Sequence, residues 1–188
     1  SRTTEIDPLG IIPTASVSQM IQALDQVTLE LVGHQGGAYG VHFAASHPGG
    51  TLGLALNRPL SEVAGLLKPS YVNIERDKHL SLVALETRLT ESQVGALCVM
   101  SGDNLMVGII TDGDVRRELV REGFSEAVAV DSLVNRTFLS VGMENTVAEA
   151  MGIFSIDSSV NVLPVINQSG FPVGMLPARL IPAIIGRI

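Results

Sequence analysis

LCVMSGDNLMVGIIT, residues 97–111, recurs 66 positions later as LPVINQSGFPVGMLP, residues 163–177, with no gap in the register. Leu97 falls on Leu163, Val99 on Val165, Val107 on Val173 and Gly108 on Gly174. Each copy reads as an apolar strand, a polar turn and a second apolar strand that leads into a helix. The turns SGDN and NQSG carry the Gly, Asn, Asp and Ser that hairpins favour. The match continues upstream at a nearby shift, where YVNIERDKHLSLVALETRL (71–89) parallels FLSVGMENTVAEAMGIFSI (138–156). Each of these pieces reads as a short extended run, an acidic turn and an amphipathic helix. The chain from Leu60 onward is therefore two copies of a strand-helix-strand-strand-helix unit of about 60 residues. Such units pack on one another because each alone leaves an apolar sheet face bare.

Composition narrows the function classes. The chain has 188 residues, 46% hydrophobic but only 4% aromatic, with no Trp, so its core is aliphatic. That composition disfavours a sugar-stacking surface or an aromatic platform for bases. Twelve basic against 19 acidic residues give a net charge of -7, which opposes a phosphate backbone and argues against nucleic acid as a partner. A small anionic metabolite remains compatible, because a few backbone amides suffice to hold it. The one cysteine, Cys98, sits in the apolar run GALCVM and excludes both an intrachain disulfide and a Cys-based zinc site. We expect no metal, and a reducing, cytoplasmic setting. Mean hydropathy is +0.36, yet no apolar run approaches the ~20 residues of a membrane span. The opening SRTTEIDPLG has no signal-peptide pattern.

Ahead of the repeats, Ser16 and Gln19 form a capping-box pattern, and Val17, Met20, Ile21, Leu24, Thr28 and Leu31 recur at helical spacing. The pattern predicts a helix over about 17–32, stopped by Gly33 and the pair Gly36-Gly37. One apolar face on a lone helix needs a partner, so this part reads as a fragment of a larger layer. Further on, ASHPGGTLG (45–53) has good turn chemistry, and His47, held extended by the following proline, reads from the residues alone as a turn residue. His34, His42 and His79 show no ligand spacing and read as solvent-facing loop or turn residues.

The tandem repeat, with GIITDGDVRR (108–117) closing its first copy, resembles a pair of CBS domains, the Bateman module. In that pattern Gly108, two apolar residues, Thr111 and Asp114 form the nucleoside-binding signature. The resemblance implies that Thr111 caps the helix and faces a ligand phosphate, and that Asp114 accepts the ribose hydroxyls. The second copy reads Gly174-Met175-Leu176-Pro177-Ala178-Arg179-Leu180, without the Thr or the Asp, so at most one competent pocket is expected.

The front end is similar to one family in particular. Glu5, Pro8, Leu9, Pro13, Thr14 and Ser16, a helix containing Asp25, Ser46-His47-Pro48-Gly49-Gly50-Thr51-Leu52-Gly53 and then the CBS pair resemble the D-arabinose 5-phosphate isomerases. In these proteins a sugar isomerase (SIS) domain precedes two CBS domains. The resemblance implies an α/β (α+β) chain with three parts: a C-terminal remnant of an αβα SIS domain over 1–58, a first CBS domain over 59–127 and a second over 128–188. It also implies interconversion of D-arabinose 5-phosphate and D-ribulose 5-phosphate for Kdo and lipopolysaccharide synthesis, with Glu5 and His47 as catalytic acid-base residues. The CBS pair would then be a regulatory module for AMP, ATP or a CMP-linked sugar, and would mediate homo-oligomerisation; no cofactor is implied. Asp7 stands where the family has a small residue or Cys, Leu24-Asp25 replaces a Gly-Asp pair, and the Gly-Lys-Ser stretch with its phosphate-binding loops is missing. We therefore expect the chain to be truncated and inactive alone. The alternative is a stand-alone CBS-pair module for binding or oligomerisation.

Overall fold

The computed structural model describes residues 5, 9, 12–35, 38–63, 66–122 and 128–186. Three helices come first: α1 (Ala15–Gln35), α2 (Tyr39–Ser46) and α3 (Thr51–Leu56), followed by a 3₁₀ turn at Leu60–Glu62. The first repeat contains β1 (Tyr71–Asn73), β2 (His79–Leu80), α4 (Leu82–Glu91), β3 (Ala96–Met100), β4 (Met106–Thr111) and α5 (Asp112–Glu122). After β5 (Val128–Ala129) and α6 (Val130–Leu133), the second contains β6 (Val141–Gly142), α7 (Val147–Ile156), β7 (Val162–Ile166), β8 (Pro172–Pro177) and α8 (Ile181–Ile185). Each repeat forms a three-stranded sheet in which the first strand runs parallel to the second and the second antiparallel to the third.

The two hairpins agree position by position. Asn104 and Gly170 both have positive φ, 61° and 77°, at the turn position that needs the left-handed region. Ser101 N–H donates to Leu105 O, and Asn167 N–H donates to Phe171 O. Both ladders slip by one residue at the same place, Val99/Met100 and Val165/Ile166. The repeats differ upstream: eight positions separate Asn73 from the α4 cap Ser81, against four between Gly142 and the α7 cap Thr146. The longer loop carries β2, which pairs antiparallel with β5. Both caps accept a backbone N–H, and Thr146 with Glu149 completes a capping box.

The repeats exchange their leading segments. Residues ahead of the first repeat join the second: Leu67 bridges Met175, Leu60 N–H donates to Asn145 O, and Leu56, Leu60 and Val63 share a core with Val147, Leu163 and Leu176. Residues ahead of the second join the first: Asn135 bridges Ile109, and Val128, Val130 and Leu133 share a core with Leu85, Leu97 and Ile110. The glycines of the repeat make room for this. A Cβ on Gly108 would overlap Val134 Cγ1 and stand 2.9 Å from Asn135 O, and one on Gly174 would stand 3.2 Å from Leu66 Cδ1. A third cluster, including Cys98, Ile109 and Met175, joins the two sheets, with Cys98 Sγ 3.5 Å from Met175 Sδ.

The helix ahead of the repeats is longer than its sequence pattern predicts, and its apolar face is bare. Met20, Ile21 and Leu24 are 65%, 55% and 61% exposed. Ser16 lies inside α1 rather than capping it, because the Glu5 carboxylate supplies the cap. By contrast α2 and α3 do pack, against α7 and α8. His34, His42 and His79 are exposed as expected, but they stand on α1, α2 and β2 rather than in loops.

Candidate functional site

Where β4 runs into α5, the two repeats leave a cleft of about 560 Å³ between them. The first repeat contributes Val94, Gly95, Ile109, Thr111, Asp112 and Asp114. Its other wall comes from beyond β5: Asn135, Thr137 and Phe138, then Asp157, Ser159 and Val160 after α7. Thr111 and Asp114 thus meet in one site. The wall from the second repeat was not identified from sequence, since its residues lie more than forty positions downstream of Asp114 or in a segment without a motif. The repeat itself is the signal for it, because face-to-face packing puts the end of one hairpin beside the lead-in of the other.

Asp114 has partners within the chain at both carboxylate oxygens. Asp114 Oδ2 accepts the Thr111 N–H at 2.8 Å and the Thr111 hydroxyl at 2.7 Å, while Oδ1 takes the Arg117 guanidinium. This is the reverse half of a capping box, in which the third helical residue reaches back to the cap. Thr111 is at the helix start as expected, but its hydroxyl donates to Asp114. Any hydroxyl presented to Asp114 would have to share its oxygens with Thr111 or displace Arg117.

Two further carboxylates border the cleft. A Cβ on Gly95 would overlap Asp112 Oδ2, so only glycine leaves that carboxylate its place. Asp157 Oδ1 accepts the Ser159 hydroxyl and N–H at 2.6 and 2.9 Å; these bonds, the hydroxyl's foremost, hold its pKa below the usual carboxylate value. At the matching position of the second repeat, β8 ends in Pro177 and Arg179 reaches across to donate to Gln93 O at 2.7 Å. Among the described residues no cluster of three His, Cys, Asp or Glu side chains is arranged to hold a metal, and no helix is long and apolar enough to cross a membrane.

Glu5 and His47 have separate hydrogen-bond partners, Glu5 at the start of α1 and His47 at the end of α2. Glu5 Oε2 accepts the N–H groups of Thr14 (2.6 Å) and Ala15 (2.7 Å) and the Thr14 hydroxyl, capping α1 from outside. Hydrogen bonds from Ser16 and then from Thr14 bring its pKa down to about 2. His47 ends α2, exposed, stacked on Phe43 at 4.4 Å with its Nδ1 3.2 Å from Phe43 O. The following turn folds α3 so closely back that a Cβ on Gly53 would overlap His47 O. Pro8 and Asp7 lie outside the described residues.

A model of the CBS domain family matches residues 77–121. The chain is 30% identical over 174 residues to the arabinose 5-phosphate isomerase KdsD of Pseudomonas aeruginosa, covering 92% of this chain and 51% of that protein. It spans about half the length of the curated relatives it matches. In fold it is similar to a CBS domain pair solved with 5′-methylthioadenosine and S-adenosyl-L-methionine (TM-score 0.56, 17% identity, 69% of this chain and 96% of that one). It is also similar to a CBS domain protein of Pyrobaculum aerophilum complexed with AMP (TM-score 0.54, 18% identity, 65% and 88%). With two intertwined repeats and a cleft between them, the chain has the fold of a CBS domain pair, and it is similar over most of its length to arabinose 5-phosphate isomerases.

Proposed function

We propose that this chain is the CBS-bearing portion of an arabinose 5-phosphate isomerase and that its cleft binds a nucleoside-containing effector regulating that enzyme. The observation that carries the reading is the cleft itself. One repeat contributes the Thr111-Asp114 corner, and the lead-in and α7 end of the other supply an apolar wall with Phe138 and Val160. A ring packs on the apolar side while hydroxyls meet carboxylate and amide groups on the other. An effector that touches both repeats alters their packing, and α2 and α3 carry that change toward His47. In the test, adenosine, AMP and CMP are titrated calorimetrically into the chain and into Thr137→Trp, which fills the cleft from an exposed position. Binding that is lost in the variant supports the reading, and unchanged binding sinks it.

For the isomerase step, Glu5 and His47 are the residues we propose for moving a proton between the first two carbons and handling the oxygens. Glu5 at about 2 is a weak base while it caps α1, so catalysis requires that cap to open. Turnover of D-arabinose 5-phosphate by a full-length protein, abolished by Glu5→Gln and by His47→Asn, is the test. A full-length protein with no turnover removes the isomerase reading.

A second reading, self-association, has its own observation. α2 and α3 cover the second repeat's helices, while the matching α4–α5 face of the first is an open apolar groove of about 460 Å³, with Val83 76% exposed. We propose that a second copy covers it. Light scattering should show a dimer that Val83→Glu dissociates, and a monomer at all concentrations rejects the idea.

A further inference from the structure

Building on the cleft as a nucleoside site, we propose that it selects by charge: it takes nucleosides whose 5′ substituent is neutral or cationic and rejects those ending in phosphate. Among the described residues that line it there are three carboxylates, Asp112, Asp114 and Asp157, and one cation, Arg117. That cation is spent on Asp114. Among the described residues no ion pair engages Asp112 or Asp157, so two negative charges face the cleft uncompensated.

A phosphate's usual refuge, the start of a helix, is taken as well. The start of α5 would attract an anion, but Asp112 and Asp114 occupy its first turn. The Thr111 N–H, the first donor an anion would reach, is already given to Asp114 Oδ2. Asp157 is fixed by the Ser159 hydroxyl and N–H at its Oδ1, which leaves it only acceptor capacity toward the cleft. A phosphate entering the polar half of the cleft therefore meets like charge without a free donor cation. A sulfonium or ammonium in the same place meets two carboxylates.

The test is calorimetric titration of the whole 188-residue chain with adenosine, S-adenosyl-L-methionine, AMP and ATP at low and high salt. Adenosine and the sulfonium should bind at least about tenfold tighter than AMP, with ATP weakest and the gap narrowing as salt screens it. Asp112→Asn and Asp157→Asn, both at exposed positions, should each reduce the adenosine-to-AMP ratio by about threefold to tenfold. Circular dichroism checks that both variants fold. AMP or ATP binding as tightly as adenosine overturns the charge selectivity while leaving the nucleoside site in place. Silence from all four ligands overturns both, and a ratio unmoved in both variants overturns the assignment to these carboxylates.

Discussion

Gly108 and Gly174 occupy the same place in the two repeats, yet adding one methyl group to each should have unequal consequences. At Gly108 the new Cβ overlaps Val134 Cγ1 and stands 2.9 Å from Asn135 O, a backbone atom. That oxygen accepts Ile109 N–H at 3.0 Å, and Asn135 N–H donates back to Ile109 O at 2.9 Å. Forcing the segment outward strains both bonds, each worth about 0.5–1.5 kcal/mol, and overpacks the contact by roughly 1–3 kcal/mol. Relaxation shares these costs, so Gly108→Ala should lose about 2–4 kcal/mol. At Gly174 the nearest atoms, 3.2 and 3.3 Å away, belong to the half-buried side chain of Leu66, which can move. Gly174→Ala should cost less than about 1.5 kcal/mol. Urea unfolding monitored by circular dichroism reads both, and the thermal midpoint should fall by roughly 2–4 °C per kcal/mol. Because Ile109 and Asn135 line the cleft, Gly108→Ala should also weaken adenosine binding while Gly174→Ala leaves it intact. Equal stability losses in the two variants would refute the claim that the backbone of the exchanged segment, and not a side chain, is what Gly108 accommodates.

Four other outcomes are expected. Leu60→Ala, at a fully buried position of the second core, should cost about 2–5 kcal/mol in the same urea assay. Thr146→Ala removes the α7 cap and should cost about 1 kcal/mol, with a smaller loss for Thr146→Ser. Glu149 is held below its ordinary value of 4.5 by the Thr146 N–H, then by Asn145. For Asp77, burial alone would raise its value above the ordinary 3.8, but the Asn73 N–H and Arg88 outweigh that and lower it. The unfolded chain thus binds more protons than the folded one at acid pH; this stability is complete above the ordinary values and is lost as pH falls through the folded ones. Urea midpoints measured from neutral pH down to about pH 3 should decline, and less so in Glu149→Gln. Burial pushes the Cys98 thiol up to about 12, so iodoacetamide should leave it unmodified in the folded chain at mild alkaline pH and alkylate it in urea.

The repeat was legible because its information is local. Turn chemistry at Asn104 and Gly170 and alternating aliphatic runs such as Val99 and Val165 state their own conformation, and the structure follows them to the residue where both ladders slip. The exchanged segments were not legible, since Leu60, Val63, Val128 and Val130 say that they are buried but not against which sheet. The face of α1 shows the same limit from the other side: periodicity marks Met20 and Leu24 as apolar neighbours without supplying anything to bury them. At the cleft, sequence placed Thr111 and Asp114 together, and the motif could not show that Asp114 spends its oxygens on Thr111 and Arg117. The Glu5 cap on α1 spans ten positions of chain, well outside the three-residue spacing by which caps are read.

The exchange of leading segments means that the chain cannot be divided at the boundary its repeat suggests. Cleavage between Glu122 and Val128 would give a front piece that holds Leu60 and Leu67 for a sheet it lacks, and a rear piece that holds Val130 and Asn135 for a sheet left behind. Each piece alone would be an incomplete, association-prone body, and the two mixed would complement one another. Folding in synthesis would meet the same condition: the first sheet would emerge without the residues from Val128 to Asn135 that complete its core, and the second would complete its own with residues made long before.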